Sequence, residues 1–188
     1  MSDRIATLIT ERLVLRPPSP ADLEDLVQLF ADPDATHFVL NGKTLPRTHV
    51  AHMLENMLNE ARHGSVHPNW IPGVPGSLIM VRPDTQDFVG IAVLRMLAPD
   101  LAAAIGDVPS PAIEAGYILA KPFWGQGLAT EAARALVAHG TSLKSKEHVV
   151  AVADAKNTAS HHVLEKVGFH VRREFDYRDM HMNYWTLA

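Results

Sequence analysis

The order of apolar patterns predicts a mixed α/β (α+β) sheet: one strand, two helices, three strands, then strand–helix units. Runs rich in β-branched and apolar residues recur at 8–16, 77–81, 88–94, 113–119, 148–153, 171–177 and 182–187. Helical spacing links Leu23, Leu26, Val27 and Phe30, and again Val50, Met53, Leu54 and Leu58. Residues 114–169 then read strand, glycine loop, helix, strand and a second helix opened by Asn157.

Each element has a local reason. The first strand, 8–16, stops at Pro17-Pro18, because proline donates nothing to a ladder. Ser19 is placed as a helix cap with Pro20 at the first helical position. A second helix is expected over 48–61. Residues 63–76 hold three prolines and three glycines and read as a loop, and so do residues 98–111. Pro83-Asp84-Thr85-Gln86 joins two strands as a hairpin turn. A helix runs from Leu128 to His139, with Gly140 expected as its left-handed cap. Another runs over 158–167, closed by Gly168 and covered by Phe169.

Composition narrows the function. A chain of 188 residues with 47 % hydrophobic content suits one folded domain over 1–188. A net charge of −4 argues against nucleic acid as the partner. No cysteine is present, which excludes a thiolate nucleophile, a disulfide frame and Cys-ligated metal. No apolar run is long enough for a signal peptide or a membrane span, so a cytoplasmic protein without a membrane partner is expected. His49-x-x-His52 and His63-x-x-x-His67 have ligand-like spacing, but neither has a third ligand nearby, so no metal is expected.

The chemistry sits in Trp124-Gly125-Gln126-Gly127-Leu128-Ala129-Thr130-Glu131-Ala132. A glycine loop that opens a helix offers unpaired N–H groups and the positive end of the helix dipole, which suit a diphosphate. Leu128 and Ala129 fill the places where a P-loop needs lysine and a hydroxyl residue. Gly125, Gly127 and Thr130 give GxGxxT, and four residues separate strand from loop, so a dinucleotide fingerprint is disfavoured.

This loop, followed by Asn157-x-x-Ser160-x-x-Val163-Leu164-Glu165-Lys166-Val167-Gly168-Phe169, resembles the GNAT N-acetyltransferase superfamily and its RimJ/RimL-like branch. In the broad superfamily the loop begins with Gln or Arg; here Trp124 stands there, as in the branch motif W-G-x-G-x-A-T-E-A. The resemblance implies a mostly antiparallel central sheet, splayed at its middle, with helices on both faces. It implies acetyl-CoA as co-substrate. By resemblance Trp124, Gly125, Gln126, Gly127, Leu128, Ala129 and Thr130 hold its diphosphate. Tyr117, Ile118, Leu119, Asn157, Ser160 and Lys166 meet the rest of the cofactor, with the strand's backbone reaching the pantetheine arm and an N–H facing the thioester oxygen.

Acetyl transfer needs a base for the amine, a donor for the oxyanion and a proton for the thiolate. Alternation puts Glu114, Gly116 and Ile118 on one strand face, and Glu114 is the acid nearest the expected thioester; it could equally be an edge carboxylate in water. Many superfamily members carry a tyrosine acid where this chain has Leu164. Ser160, one turn earlier on the same face, is the branch's usual candidate, and could also simply bond its own helix. His52, His63, His67 and Trp70 are candidates for the acceptor pocket, or else exposed residues. The expected function is an N-acetyltransferase acting by direct attack in a ternary complex. The acceptor is a primary amine, a small molecule favoured over a protein or peptide N-terminus, and a homodimer is left open. The competing reading is a non-catalytic acyl-CoA-binding module.

Overall fold

The computed structural model describes residues 7–40, 42–64, 71–144 and 146–188. Eight strands form one sheet in the order β1-β2-β3-β4-β5-β6-β8-β7. They are β1 (Leu8–Ile9), β2 (Val14–Arg16), β3 (Gly76–Val81), β4 (Phe88–Met96), β5 (Ile113–Leu119), β6 (Val149–Asp154), β7 (Phe169–Tyr177) and β8 (Met180–Leu187). Every neighbouring pair is antiparallel except β5–β6. The mixed, mostly antiparallel sheet of the sequence reading is therefore present.

Helices cover both faces. On one, α1 (Leu23–Ala31) and α3 (Arg47–His63) bury Leu26, Leu29, Phe30, Val50, Leu54 and Met57 against Ile79, Val81 and Ile91. Short α2 (Pro33–Thr36) lies between them in sequence. On the other face, α5 (Leu128–Leu143) sets Leu128, Ala132 and Leu136 against Leu94, Ala115, Leu119, Val149 and Ala151. Helix α6 (Thr158–Val167) adds Leu164 to that cluster.

The β5–β6 pair is where the sheet opens. Only Ile113↔Val149 and Glu114↔Val150 are matched, and then the strands part. Strand β5 stays with β4 along its whole length, from Met96↔Ile113 to Gly90↔Leu119. Strand β6 follows β8 over five matched pairs, Val150↔Thr186 through Asp154↔Met182. Two twisted antiparallel halves thus share a short parallel seam, and parallel pairing is the weaker kind.

Three sequence expectations are corrected. The first strand is two, because the chain turns at residues 10–13, where the Thr10 N–H bonds the Leu13 carbonyl at 2.9 Å. Gly140 does not cap α5, which continues to Leu143. A Cβ on Gly140 would stand 3.0 Å from Val149 Cγ2, so the glycine lets the helix lie close to the sheet. Residues 98–111 are not all loop: α4 (Pro99–Ile105) begins on Pro99 and ends before Gly106, the arrangement proline and glycine favour at opposite helix ends. Helix 158–167 and its left-handed Gly168 cap, at φ 98°, are as read from sequence.

Gly90 holds the open end of β5 in place. At φ 152° it leaves no room for a side chain: a Cβ would lie 2.1 Å from the Ile118 carbonyl oxygen and 2.9 Å from Leu119 Cα. Gly90→Ala is therefore predicted to cost about 2–4 kcal/mol of stability, measured by urea unfolding. A loss under about 0.5 kcal/mol would show that β4 and β5 are not held that tightly.

Candidate active site

A cleft of about 390 Å³ lies where β5 and β6 part, within the range of small-molecule sites. Its lining joins β5 (Tyr117, Ile118, Leu119), the glycine loop and the start of α5 (Trp124, Gly125, Gly127, Leu128, Ala129, Thr130), and α6 (Asn157, Ser160, Val163, Lys166). Asp34 and Ala35 of α2, with Phe38 and Val39, form a fourth side.

The loop is shaped by backbone angles. Gly125 and Gly127 sit at φ 72° and 78°, where side chains are strained. The first helical bond of α5 runs from the Glu131 N–H to the Gly127 carbonyl at 3.1 Å. The N–H groups of Leu128, Ala129 and Thr130 therefore have no helical partner, and all three residues line the cleft. The Trp124 indole N–H donates to the Leu119 carbonyl at 2.8 Å, tying loop to strand. The Gln126 side chain donates to the Pro122 carbonyl at 2.8 Å and does not line the cleft.

Behind the loop lies a network that the sequence did not reveal. Glu131 accepts from the Thr10 hydroxyl at 2.6 Å, from the Arg12 backbone N–H at 2.7 Å and from Arg12 Nε at 2.7 Å. Arg12 Nη1 donates to the Gln126 carbonyl at 2.9 Å. A peptide is planar and trans, so a carbonyl fixed outward sets the following N–H, that of Gly127, in the opposite sense. Burial raises the Glu131 carboxyl's pKa, but the bonds from Thr10 and Arg12 outweigh it and hold it below its ordinary value. An acid in the first turn of a helix was legible; its partner, more than a hundred residues away, was not.

Helix α6 brings its own cap and hydroxyl. The Asn157 side chain accepts from the Ser160 N–H at 3.1 Å, so Asn157 caps the helix while lining the cleft. Leu164, in the superfamily's tyrosine position, is 5 % exposed and belongs to the core. The Tyr117 hydroxyl is sealed from solvent without a hydrogen-bond partner. Burial pushes its pKa up, partly offset by the neighbouring Ser160 side chain.

Glu114 is placed elsewhere. It lies on the seam opposite Val150, pairs with Arg95 Nε at 3.0 Å and does not line the cleft. Ile118 packs with the α1/α3 face and Tyr117 with the α5/α6 face, so alternation puts Glu114 on the α1/α3 side. Beside it Gly116 leaves open space, with no atom within 4 Å of a built Cβ. The structure does not bring His52 or His63 to the cleft. His52 is exposed on α3, 3.9 Å from Glu55, and His63 is exposed at that helix's last residue. His67 and Trp70 lie outside the described residues.

The sequence pattern of the Acetyltransferase (GNAT) domain matches residues 12–170, and the chain belongs to that family. It is 26 % identical over 163 residues to an uncharacterized N-acetyltransferase, p20, of Bacillus licheniformis, covering 87 % of this chain and 82 % of that one. A putative GnaT-family acetyltransferase from Bordetella pertussis shares the fold at TM-score 0.74 and 21 % identity, over 97 % and 99 % of the two chains. So does a spermidine N-acetyltransferase from Vibrio cholerae, solved with CoA and spermine, at TM-score 0.66 and 12 % identity over 94 % and 95 %.

Glu131→Gln removes the charge that Arg12 and Thr10 hold. Its pKa is lowered on folding, so its contribution is present above the ordinary value of 4.5 and is lost as pH falls below it. The variant is predicted to be about 2 kcal/mol less stable than wild type at pH 7, the gap closing below about pH 4.5. Chemical unfolding across pH checks this. A gap that does not change with pH would mean that the charge is not what matters.

Proposed function

We propose that the protein transfers an acetyl group from acetyl-CoA to a primary amine, by direct attack while both are bound. The observation that carries this is the opening of the β5–β6 seam beside the glycine loop. Three chemically different surfaces meet there: unpaired N–H groups at the α5 start, the strand edge that β6 leaves beyond Glu114, and the side chains of Tyr117 and Ser160. A free strand edge suits an amide-rich arm, which can complete its ladder. The α5 terminus, with exposed Lys166 nearby, suits phosphates. With acetyl-CoA bound, the chemistry supplied is a thioester carbonyl for the amine to attack.

This chain's residues divide the work by face. Tyr117, Ile118 and Leu119 line the cleft, and a backbone N–H on the side of β5 that faces away from β4 can stabilise the oxyanion. Glu114 serves as base for the amine from the α1/α3 side, through water across the space over Gly116. Phe38, Val39 and Ile118 give the acceptor side an apolar lining, with the Asp34 carboxylate among them. That lining favours a small amine with an apolar body over a polar peptide backbone. A spermidine N-acetyltransferase from Vibrio cholerae with this fold, solved with CoA and spermine, supports the choice of a small amine. The RimJ/RimL-like assignment rests on the two motifs alone. We read the protein as one catalytic domain working in the cytoplasm.

Calorimetry with acetyl-CoA should show saturable binding at one site per chain, and a thiol-release assay should show turnover with at least one amine of a small-molecule and peptide panel. Glu114→Gln should lower kcat/KM about 10²-fold or more while leaving acetyl-CoA binding within about twofold. Absent binding would sink the reading. Tight binding without turnover on any amine would instead favour an acyl-CoA-binding module, which the buried Leu164 in the acid position already keeps in play.

A further inference from the structure

Four side-chain polar atoms among the described residues are sealed from solvent without a hydrogen-bond partner: Tyr117 Oη, Asn183 Oδ1, Tyr184 Oη and Trp185 Nε1. Three belong to β8 and to residues that do not line the cleft. Tyr117 is the one that does. A sealed hydroxyl without a partner is costly to keep, and a cleft is where its partner can arrive. Ser160 of α6 lines the same cleft, and its side chain partly offsets the effect of burial on the Tyr117 hydroxyl. Leu164, one turn beyond Ser160, is aliphatic and buried.

We propose that the Tyr117 hydroxyl, with Ser160 beside it, delivers the proton that the departing CoA sulfur takes up. The inference rests on the acetyl-transfer reading above. The amine nitrogen's lone pair forms the C–N bond to the carbonyl carbon. The C–S bond breaks and its electron pair goes to sulfur. The phenol O–H then protonates that sulfur, and the surplus proton of the amine leaves through Glu114 and water. Once the thiol departs the phenolate regains its proton from the emptied cleft by way of the Ser160 hydroxyl, so no proton is gained or lost beyond the overall reaction. A phenol, with an ordinary pKa near 10, is a far better acid than the alcohol of Ser160. Burial keeps it protonated throughout the physiological range. Strand and helix thus share the acid function: β5 carries the donor, and α6 carries the hydroxyl through which it is recharged.

The test titrates the thiol of bound CoA by its thiolate absorbance, without any amine. A phenol poised to donate to sulfur stabilises the thiolate. The thiol bound to wild type is therefore predicted to titrate about one unit below that bound to Tyr117→Phe, a tenfold difference in thiolate at a given pH. Ser160→Ala should shift it by less. Apo Tyr117→Phe should melt no lower than wild type, since the lost hydroxyl has no partner. Identical titrations in wild type and Tyr117→Phe, with CoA bound to both, would overturn the inference and leave the acetyl-transfer reading intact. Failure of wild type to bind CoA would overturn both. Should Tyr117→Phe fold poorly, wild type decides alone: its bound CoA must titrate below free CoA, because burial by itself would raise it, and an unshifted or raised value ends the proposal.

Discussion

Two matched residue pairs, Ile113↔Val149 and Glu114↔Val150, join the halves of this sheet, and the site depends on their being so few. Backbone N–H and C=O groups seek partners, and a strand that leaves its neighbour keeps an unfilled edge. Here β5 leaves β6 because it is committed to β4 along its length, while β6 is committed to β8. Helix α5 packs across the gap, with Leu128, Ala132 and Leu136 touching apolar residues of both halves, so the opening persists without the sheet coming apart. Beyond Glu114 the edge of β5 that faces β6 is left without a partner strand.

What makes the opening chemically specific is the set of elements that converge on it. The glycine loop needs two left-handed residues, and those are free to adopt other conformations unless something fixes them. Arg12 and Glu131 provide that restraint, with the Trp124–Leu119 bond on the strand side. The turn at residues 10–13 brings Thr10 and Arg12 onto Glu131. The edge of the sheet and the N-terminal end of α5 are thus one mechanical unit. On the far side α6 supplies its capped N-terminal turn, which brings Asn157 and Ser160 into the cleft lining beside Tyr117.

Much of this was legible locally. The Gly125–Gly127 loop, the start of α5 at Leu128, and the Asn157 and Gly168 ends of α6 follow from backbone preferences that the sequence states outright. Alternation along β5 set Ile118 on one face, and it packs with the α1/α3 cluster there. The failures have a common cause in long-range packing. Gly140 looked like a helix end because a close approach to Val149 is invisible in sequence. The three prolines of residues 98–111 hid α4, although Pro99 and Gly106 mark its limits. His52 drew notice through its ligand-like spacing from His49 and was offered as a residue of the acceptor pocket. It lies two residues from Val50, one of the residues that α3 turns inward with Leu54 and Met57, and so it faces solvent. Arg12 was passed over because an arginine near the start of a chain carries no local sign of its partner.

The central claim is that the parted edge of β5 and the N-terminus of α5 bind one ligand together. The direct measurement is an amide NMR titration with CoA, following residues 115–119, Gly125, Gly127, Leu128, Ala129 and Thr130. The account predicts that both sets of amides shift together, with a single saturation curve, while those of the outer strands β1 and β7 stay put. Shifts confined to the glycine loop, with the β5 amides unmoved, would show that the open strand edge is not part of the binding site and would contradict it.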